Sequence, residues 1–528
     1  MQRNSERAWW IAAAVLLLPL LSMAILPLSD TSEPRYAEIA RVMAVTGDWI
    51  TPWFSPGVPF WGKPPLSFWA EAASMRLLGV GEFTVRLPSW LCMLASVATL
   101  YAGLRRLRGS RLALWSVIVY ASGALVYISS GAVLTDPFLA LGTTLSMISF
   151  AVVVASQAVP SRIAAGPEWV AAQCYAVPGE PAPWYWRYGF FLGLAIGLLA
   201  KGPLAAVLIA TPVAAWLVLH RRRAGAARRL PWAGGLLLML LISVPWYILA
   251  ELKTPGFLDY FIVGEHIRRF LDPGWAGDLY GSAHRERFGM IWVYWLQASF
   301  PWGVLVVATL AAAPFSHRVR TAVSRVAADP LAGYWLAWAV FTPIFFTLSA
   351  NILWTYVLPA LAAFSILAAM LIQAASPVFP RMASRAVLLA ALVPAVVLVW
   401  SVWSALEPNT LKSERNLVRF VAGQNQPGTP LVYLGKTPFS ATFYSAGKAG
   451  AVTAAALAAH SACTEACFLA VSKDNEAQVA RMLGHPLAPL YQNKRYVLIK
   501  IDNNHAPRAL ARFEGVKAPP GTGDQPRQ

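Results

Sequence analysis

Residues 9–29 read WWIAAAVLLLPLLSMAILPLS, and residues 30–65 follow directly as DTSEPRYAEIARVMAVTGDWITPWFSPGVPFWGKPP. The first stretch carries no charged side chain and exceeds the ~18 apolar residues that suffice to cross a bilayer. Its short basic start (Arg3, Arg7) resembles a secretory signal. However, the apolar run is longer than the ~7–15 residues of a signal core, and no convincing small-x-small cleavage site follows, so it reads as a retained first span. The second stretch is where ionisable residues crowd against the membrane edge. Read together, the two stretches predict a membrane protein whose chemistry sits on the outer side of its spans.

The rest of the chain agrees. Of 528 residues, 57% are hydrophobic and 13% charged, against roughly 45–50% and about 25% in soluble domains. Mean hydropathy is +0.52. This composition excludes a disordered chain and argues against a soluble enzyme. The net charge of +18 would suit nucleic-acid binding, but the placement of the charges points elsewhere. Further apolar runs fall at about 87–104, 112–134, 137–156, 188–200, 203–219, 232–250, 290–313, 331–347, 353–373 and 386–406, predicting eleven to thirteen spans. The connecting segments form two alternating sets, one with 18 Lys/Arg against 4 Asp/Glu and the other with 11 against 13. Basic loops stay cytoplasmic. The N-terminus is therefore expected inside, with loops 30–86 and 251–289 and everything after about residue 407 outside.

Residues 407–503 change character. Strand-like runs (Pro430–Gly435, Cys467–Lys473, Arg495–Ile501) alternate with helix-like ones (Ser413–Gln424, Asp474–Leu483), predicting a small α/β domain outside the membrane. The expected organisation is a membrane domain over 1–406, this domain over 407–503, and a flexible tail over 504–528. Cys92 and Cys174 read as packing residues, whereas the spacing of Cys463 and Cys467 permits a disulfide in an oxidising compartment.

The outer segments hold the candidate chemistry. Pro34 fits a first helical turn and Gly47 a helix stop. Between them Tyr36, Ile39, Ala40 and Met43 recur at helical spacing, an amphipathic helix suited to the membrane surface. Asp30, Glu33 and Arg35 cluster at its start, and Lys63 follows in the same loop. Asp136 lies between Thr135 and Pro137 at the end of an apolar run, where it reads either as a turn cap or as an acid facing a polar cavity. Lys201 sits with Gly202 and Pro203 inside a hydrophobic hairpin, free to snorkel or to present its ammonium to an anion. In Glu265-His266-Ile267-Arg268-Arg269, adjacent arginines cannot share one helix direction, and His266 is either structural or a ligand contact. Cations at the bilayer surface suit a phosphate, and acids suit a hydroxyl or amine. A lipid-phosphate-linked sugar satisfies both. The sequence has no metal-ligand motif, P-loop or nucleophile elbow, and no cofactor is called for; a divalent cation is not indicated.

The ordered motifs D-x-x-E-P-R-Y-A-E-I-A-R-x-M, G-D-W-x-x-P, K-P-P-L-x-x-W, T-D-P, L-x-K-G-P, E-H-x-x-R-F and T-Y-V-L-P, spread from Asp30 to Pro359, resemble those of the ArnT-like and protein O-mannosyltransferase-like GT-C membrane glycosyltransferases. The resemblance implies a mainly α, polytopic GT-C fold in a bacterial inner membrane. It also implies inverting transfer of a sugar, such as aminoarabinose, from an undecaprenyl-phosphate carrier on the periplasmic face to lipid A or another envelope glycan. Motif positions around the carrier phosphate and sugar fall on Arg35, Tyr36, Lys63, Asp136, Lys201, Arg269 and Tyr356, with His266 beside them. Asp30, Glu33 and Asp136 are the expected catalytic acids. The sequence departs from the family pattern at Ser32, at Gly62 before Lys63, and at Asn351-Ile352-Leu353-Trp354, which lacks a lysine. The alternatives are transfer to Ser/Thr of a polypeptide and, from a different class, a lipid or solute transporter. No internal symmetry of the transporter kind is visible.

Overall fold

A computed structural model describes residues 2–155, 182–281, 284–377, 382–424, 426, 428–458, 466–483 and 486–502. The chain is a multi-pass helical membrane protein. Among the described residues six helices are long and apolar enough to cross a membrane, or up to nine if each bent pair forms one span. In chain order the first elements are α1 (Gln2–Ile25), α2 (Ser32–Thr46), the hairpin β1 (Trp53–Ser55) and β2 (Val58–Pro59), α3 (Leu66–Leu78), α4 (Glu82–Arg108), α5 (Ser110–Ala121), α6 (Ala124–Ser130) and α7 (Asp136–Ala155). They are followed by α8 (Trp184–Lys201), α9 (Pro203–Leu219) and α10 (Trp232–Lys253). Helices Met290–Ala298, Trp302–Ala312, Ala332–Thr347, Leu361–Ala375 and Met382–Leu406 complete the bundle. α10 and Met382–Leu406 leave Leu241, Leu388 and Val399 largely uncovered by protein, as lipid-facing helices do.

Two apolar runs expected as single spans are broken. The run 112–134 bends by 71° between α5 and α6, and 290–313 bends by 110° between Met290–Ala298 and Trp302–Ala312. Gly123 and Pro301 stand at the breaks; glycine weakens a helix, and proline cannot donate to the preceding turn. α2 ends where expected, with Gly47 at φ 72° and its N–H bonded to the Met43 carbonyl at 3.0 Å. Its apolar stripe, expected on the membrane surface, is instead covered by protein: Tyr36 packs edge-on against Phe60 and Phe68, and Ile39, Ala40 and Met43 are fully buried.

The tightest helix pairing places the site. On α7 and α8, Gly142 and Gly193 leave the backbones so close that a Cβ on Gly142 would meet the Gly193 carbonyl at 2.6 Å. These helices run oppositely, so the start of α7 (Asp136) meets the end of α8 (Lys201). Gly202 then turns the chain at φ 67°, and Pro203 opens α9, the position where a proline costs no hydrogen bond.

After residue 407 a five-stranded sheet has the order β4-β3-β5-β7-β6. Its strands are β3 (Leu431–Leu434), β4 (Gly450–Val452), β5 (Ala466–Ser472), β6 (Tyr491–Gln492) and β7 (Tyr496–Asp502). β3 lies parallel to β4 and β5, and β7 closes antiparallel on β5 with Leu469 opposite Ile499. Helices Arg415–Gly423 and Glu476–Leu483 accompany it. The strand-like runs are β3, β5 and β7; β4 and β6 are too short to show in hydropathy. Cys467 is disulfide-bonded, while Cys463, Cys174 and the 504–528 tail lie outside the described residues.

Candidate active site

A half-open cavity of ≈ 170 Å³ lies where the outer ends of α8 and α9 meet the loops after β2 and α10. Lys63, Lys201, Glu265, His266, Arg269 and Tyr356 line it, with Phe261, Phe345 and Phe346 forming an apolar wall. Five of the residues singled out from sequence therefore converge, although they are spread over almost three hundred positions.

Each is held by local structure. Lys201 is 8% exposed and pairs with Asp136 at 3.1 Å, while its ammonium lies 5.4 Å from the ring centre of Tyr356. The Lys201 carbonyl faces His266 Nε2 at 3.0 Å, and His266 Nδ1 faces the Phe261 carbonyl at 2.7 Å. A neutral imidazole has one N–H and donates to only one of these carbonyls; the imidazolium would donate to both. Burial pushes the imidazole pKa down, and the two carbonyls oppose this only in part; the ring lies between the end of α8 and the loop. The segment Asp259–Arg268 is a π-helix, a wide turn that recurs at functional sites. Gly202 fits beneath it because a Cβ there would sit 2.6 Å from the Phe261 ring.

The cations Lys63 and Arg269 meet on Glu265. Lys63 Nζ is 3.2 Å from Oε2, and Arg269 Nη1 is 3.1 Å from both carboxylate oxygens. Arg269 also reaches Asp278 at 3.3 Å. Burial disfavours the Glu265 anion, but the two cations outweigh it and hold its pKa below the usual carboxylate range. Asn351 donates to the carbonyls of Arg269 and Asp272 at 2.6 and 2.9 Å, fixing the end of this turn. Glu265 and Asn351 were not among the sequence candidates. An acid four residues before an arginine looks like ordinary helix pairing, and only its contact with Lys63 distinguishes it.

Three expected residues sit beside the cavity. Asp136 touches it through Lys201. Tyr36 and Tyr356 are both in electrostatic reach of the Lys201 ammonium, but Tyr36 is packed in the α2 core. Arg35 donates to the Tyr280 carbonyl at 2.7 Å and stacks on Tyr36 and Phe439, facing the C-terminal unit rather than the cavity.

The two first-loop acids, expected as proton acceptors, are placed elsewhere. Glu33 accepts from Arg86 Nε and Nη2 at 3.0 and 2.9 Å, from the Val133 N–H at 3.1 Å and from the Ser29 N–H at 3.3 Å. Arg86 also donates to the Leu26 and Pro27 carbonyls, tying off the exit of α1. Asp30 accepts from the Ser440 N–H and hydroxyl at 2.8 and 2.7 Å and from Arg495 at 2.7 Å. One acid seals the first span and the other fastens the C-terminal unit. No group of His, Cys, Asp and Glu suited to a metal ion occurs among the described residues.

Residues 28–261 match the family described as dolichyl-phosphate-mannose-protein mannosyltransferase. The chain is 31% identical over 373 residues to the undecaprenyl phosphate-alpha-4-amino-4-deoxy-L-arabinose arabinosyl transferase of Edwardsiella ictaluri, covering 69% of this chain and 60% of that one. It is also 31% identical over 371 residues to the corresponding transferase 1 of Pseudomonas fluorescens, covering 66% and 58%. The matched stretch thus spans about three-fifths of these relatives' length. The crystal structure of ArnT from Cupriavidus metallidurans bound to undecaprenyl phosphate superposes with a TM-score of 0.73 at 17% identity, over 95% of this chain and 99% of that one. The fold is that of the GT-C membrane proteins. Within that class it shares the architecture of the ArnT structure, and about two-thirds of the chain is similar in sequence to the aminoarabinose transferases.

Proposed function

We propose that the chain is an inverting glycosyltransferase, moving a sugar from an undecaprenyl-phosphate carrier to lipid A or another envelope glycan. Aminoarabinose, or a related pentose or hexose, is the sugar. The basic-loop asymmetry supports a bacterial inner-membrane protein with its N-terminus in the cytoplasm and its cavity and C-terminal unit in the periplasm. On this view residues 1–406 form the catalytic membrane unit, and 407–503 form a cover tied to it through Asp30.

The observation that carries the proposal is the convergence of Lys63, Lys201 and Arg269 on one cavity beside an aromatic and aliphatic wall. The leaving group is a phosphate, stable as an anion, so no strong acid is needed. Charge growing on it in the transition state is what the protein must balance, and Lys63 and Arg269, already held in place by Glu265, do so without reorganisation. Asp136 keeps Lys201 charged and aimed, and Tyr356 offers a ring face for the sugar. Of the three acids expected from sequence, Asp136 alone adjoins the cavity, through its pair with Lys201. An acceptor that is itself a phosphate needs no base.

The test is mass spectrometry of lipid A after incubation of the full-length protein, in detergent, with undecaprenyl-phosphate-linked aminoarabinose. An added pentosamine mass, lost in Lys63→Ala, supports the proposal. Sugar found on polypeptide would favour the protein O-glycosylation alternative, and movement of the lipid across vesicles without covalent transfer would favour a transporter.

A further inference from the structure

Glu265 sets the charge of the whole cavity. Among the described residues three cations around it, Lys63, Lys201 and Arg269, are matched by three carboxylates, Glu265, Asp136 and Asp278. With His266 neutral, the form that burial favours, its ring donates to one of its two carbonyls and adds no charge. A site built only to grip a phosphate would gain from a net positive charge, yet this one is formally neutral. The acid most responsible is 6% exposed and sits on both phosphate-facing cations at 3.1–3.2 Å.

The proposed reaction explains why that is useful. The donor is a phosphodiester with one negative charge. On transfer the bond from the sugar C1 to the phosphate oxygen breaks, and its electron pair stays on the phosphate. The acceptor oxygen supplies the pair for the new bond to C1, and a hydroxyl acceptor passes its proton to a carboxylate or to solvent. The departing lipid is a phosphomonoester carrying about −1.5 to −2 charges near neutral pH. The product is therefore more anionic than the substrate, and a strongly cationic cavity would retain it. Release of product limits many enzymes.

We propose that Glu265 is a positioning and specificity residue. Its carboxylate keeps Lys63 and Arg269 converged while limiting the preference of the cavity for the phosphomonoester product over the phosphodiester donor. The proposal rests on the transferase function above, with Asp278 supporting Glu265 from the far side of Arg269.

The experiment compares binding of undecaprenyl phosphate and of its monomethyl ester, a phosphodiester, to full-length protein in detergent at pH 8 and fixed salt. Glu265→Gln should raise the monoester-to-diester affinity ratio about tenfold, the effect of one further ligand charge roughly 5 Å away at an effective dielectric of about 40–80. Its donor KM and kcat should both fall, and Glu265→Asp should restore the ratio. Asp278→Asn should move the ratio in the same direction, and it decides the matter if Glu265→Gln does not fold. An unchanged ratio in the folded variants, with binding by the parent protein still dependent on Lys63, overturns the role of Glu265 and leaves the transferase function standing. If the parent protein binds neither lipid better than Lys63→Ala does, both fall.

Discussion

Glu33→Gln separates a structural acid from a catalytic one. All four hydrogen bonds to the Glu33 carboxylate come from donors: two from Arg86 and one each from the Val133 and Ser29 amides. Glutamine keeps one acceptor oxygen, but its NH₂ must point at an Arg86 nitrogen and one of the amides, whichever way it is turned. Arg86 is only 4% exposed, so its guanidinium loses the counter-charge in contact with it and keeps only the more distant Glu82. Removing one partner of a buried ion pair costs about 3–5 kcal/mol, and each buried donor left facing a donor accounts for roughly 1–3 kcal/mol of that range. A chain of this size unfolds with an entropy that turns such a loss into a drop of a few degrees in Tm. The assay pairs thermal unfolding in detergent, followed by tryptophan fluorescence, with initial transfer rates per folded molecule. The expected result is a lower Tm with a near-normal rate. A variant as stable as the parent but slower by the ~10²–10⁴-fold typical of a lost general base would refute the assignment of Glu33 to the scaffold.

Other outcomes follow from the same geometry. Lys63→Ala and Arg269→Ala should each lower kcat/KM for the lipid-linked donor by about 10²–10³-fold, read from radiolabelled sugar transfer per folded molecule. Gly202→Ala combines a left-handed φ with a Cβ 2.6 Å from the Phe261 ring; it should destabilise the protein by roughly 1–3 kcal/mol and weaken donor binding, while Gly57→Ala, with open space around its Cβ, should leave donor binding intact. Glu414 is raised by burial to about 7, the nearby Arg495 and the Asn493 hydrogen bond offsetting burial only in part. The folded state then holds a proton that the unfolded chain releases near pH 4.5, so stability falls as pH rises from about 4.5 through about 7. Glu414→Gln keeps an acceptor for Asn493 and removes the charge. Its Tm should gain on the parent protein above pH 7 and not at pH 5, and a gain independent of pH would count against this.

The membrane character of the chain, the ends of its helices and the outer segments that carry charge were legible in sequence because each is a local property. Twenty apolar residues in a row have few fates, and a lysine between two such runs must find either the interface or a partner. Lys63, Lys201, His266 and Arg269 stood out for that reason, and Tyr356 only through the family motif that contains it. The breaks at Gly123 and Pro301 were less legible, since hydropathy averages over a bend.

Partnership was not legible at all. Asp30 and Glu33 have the types and crowding of catalytic acids, but their fates depend on Arg495 and Arg86, far along the chain. Glu265 looked like a helix-surface acid until the loop bearing Lys63 came to lie against it. Composition, hydropathy and loop charge thus determine by themselves that this chain crosses a membrane many times and that its loops divide into a strongly basic set and a mixed-charge set. Which carboxylate steadies the scaffold and which lines the cavity is decided only in three dimensions, because an ion pair depends on distance through space and the sequence records only distance along the chain.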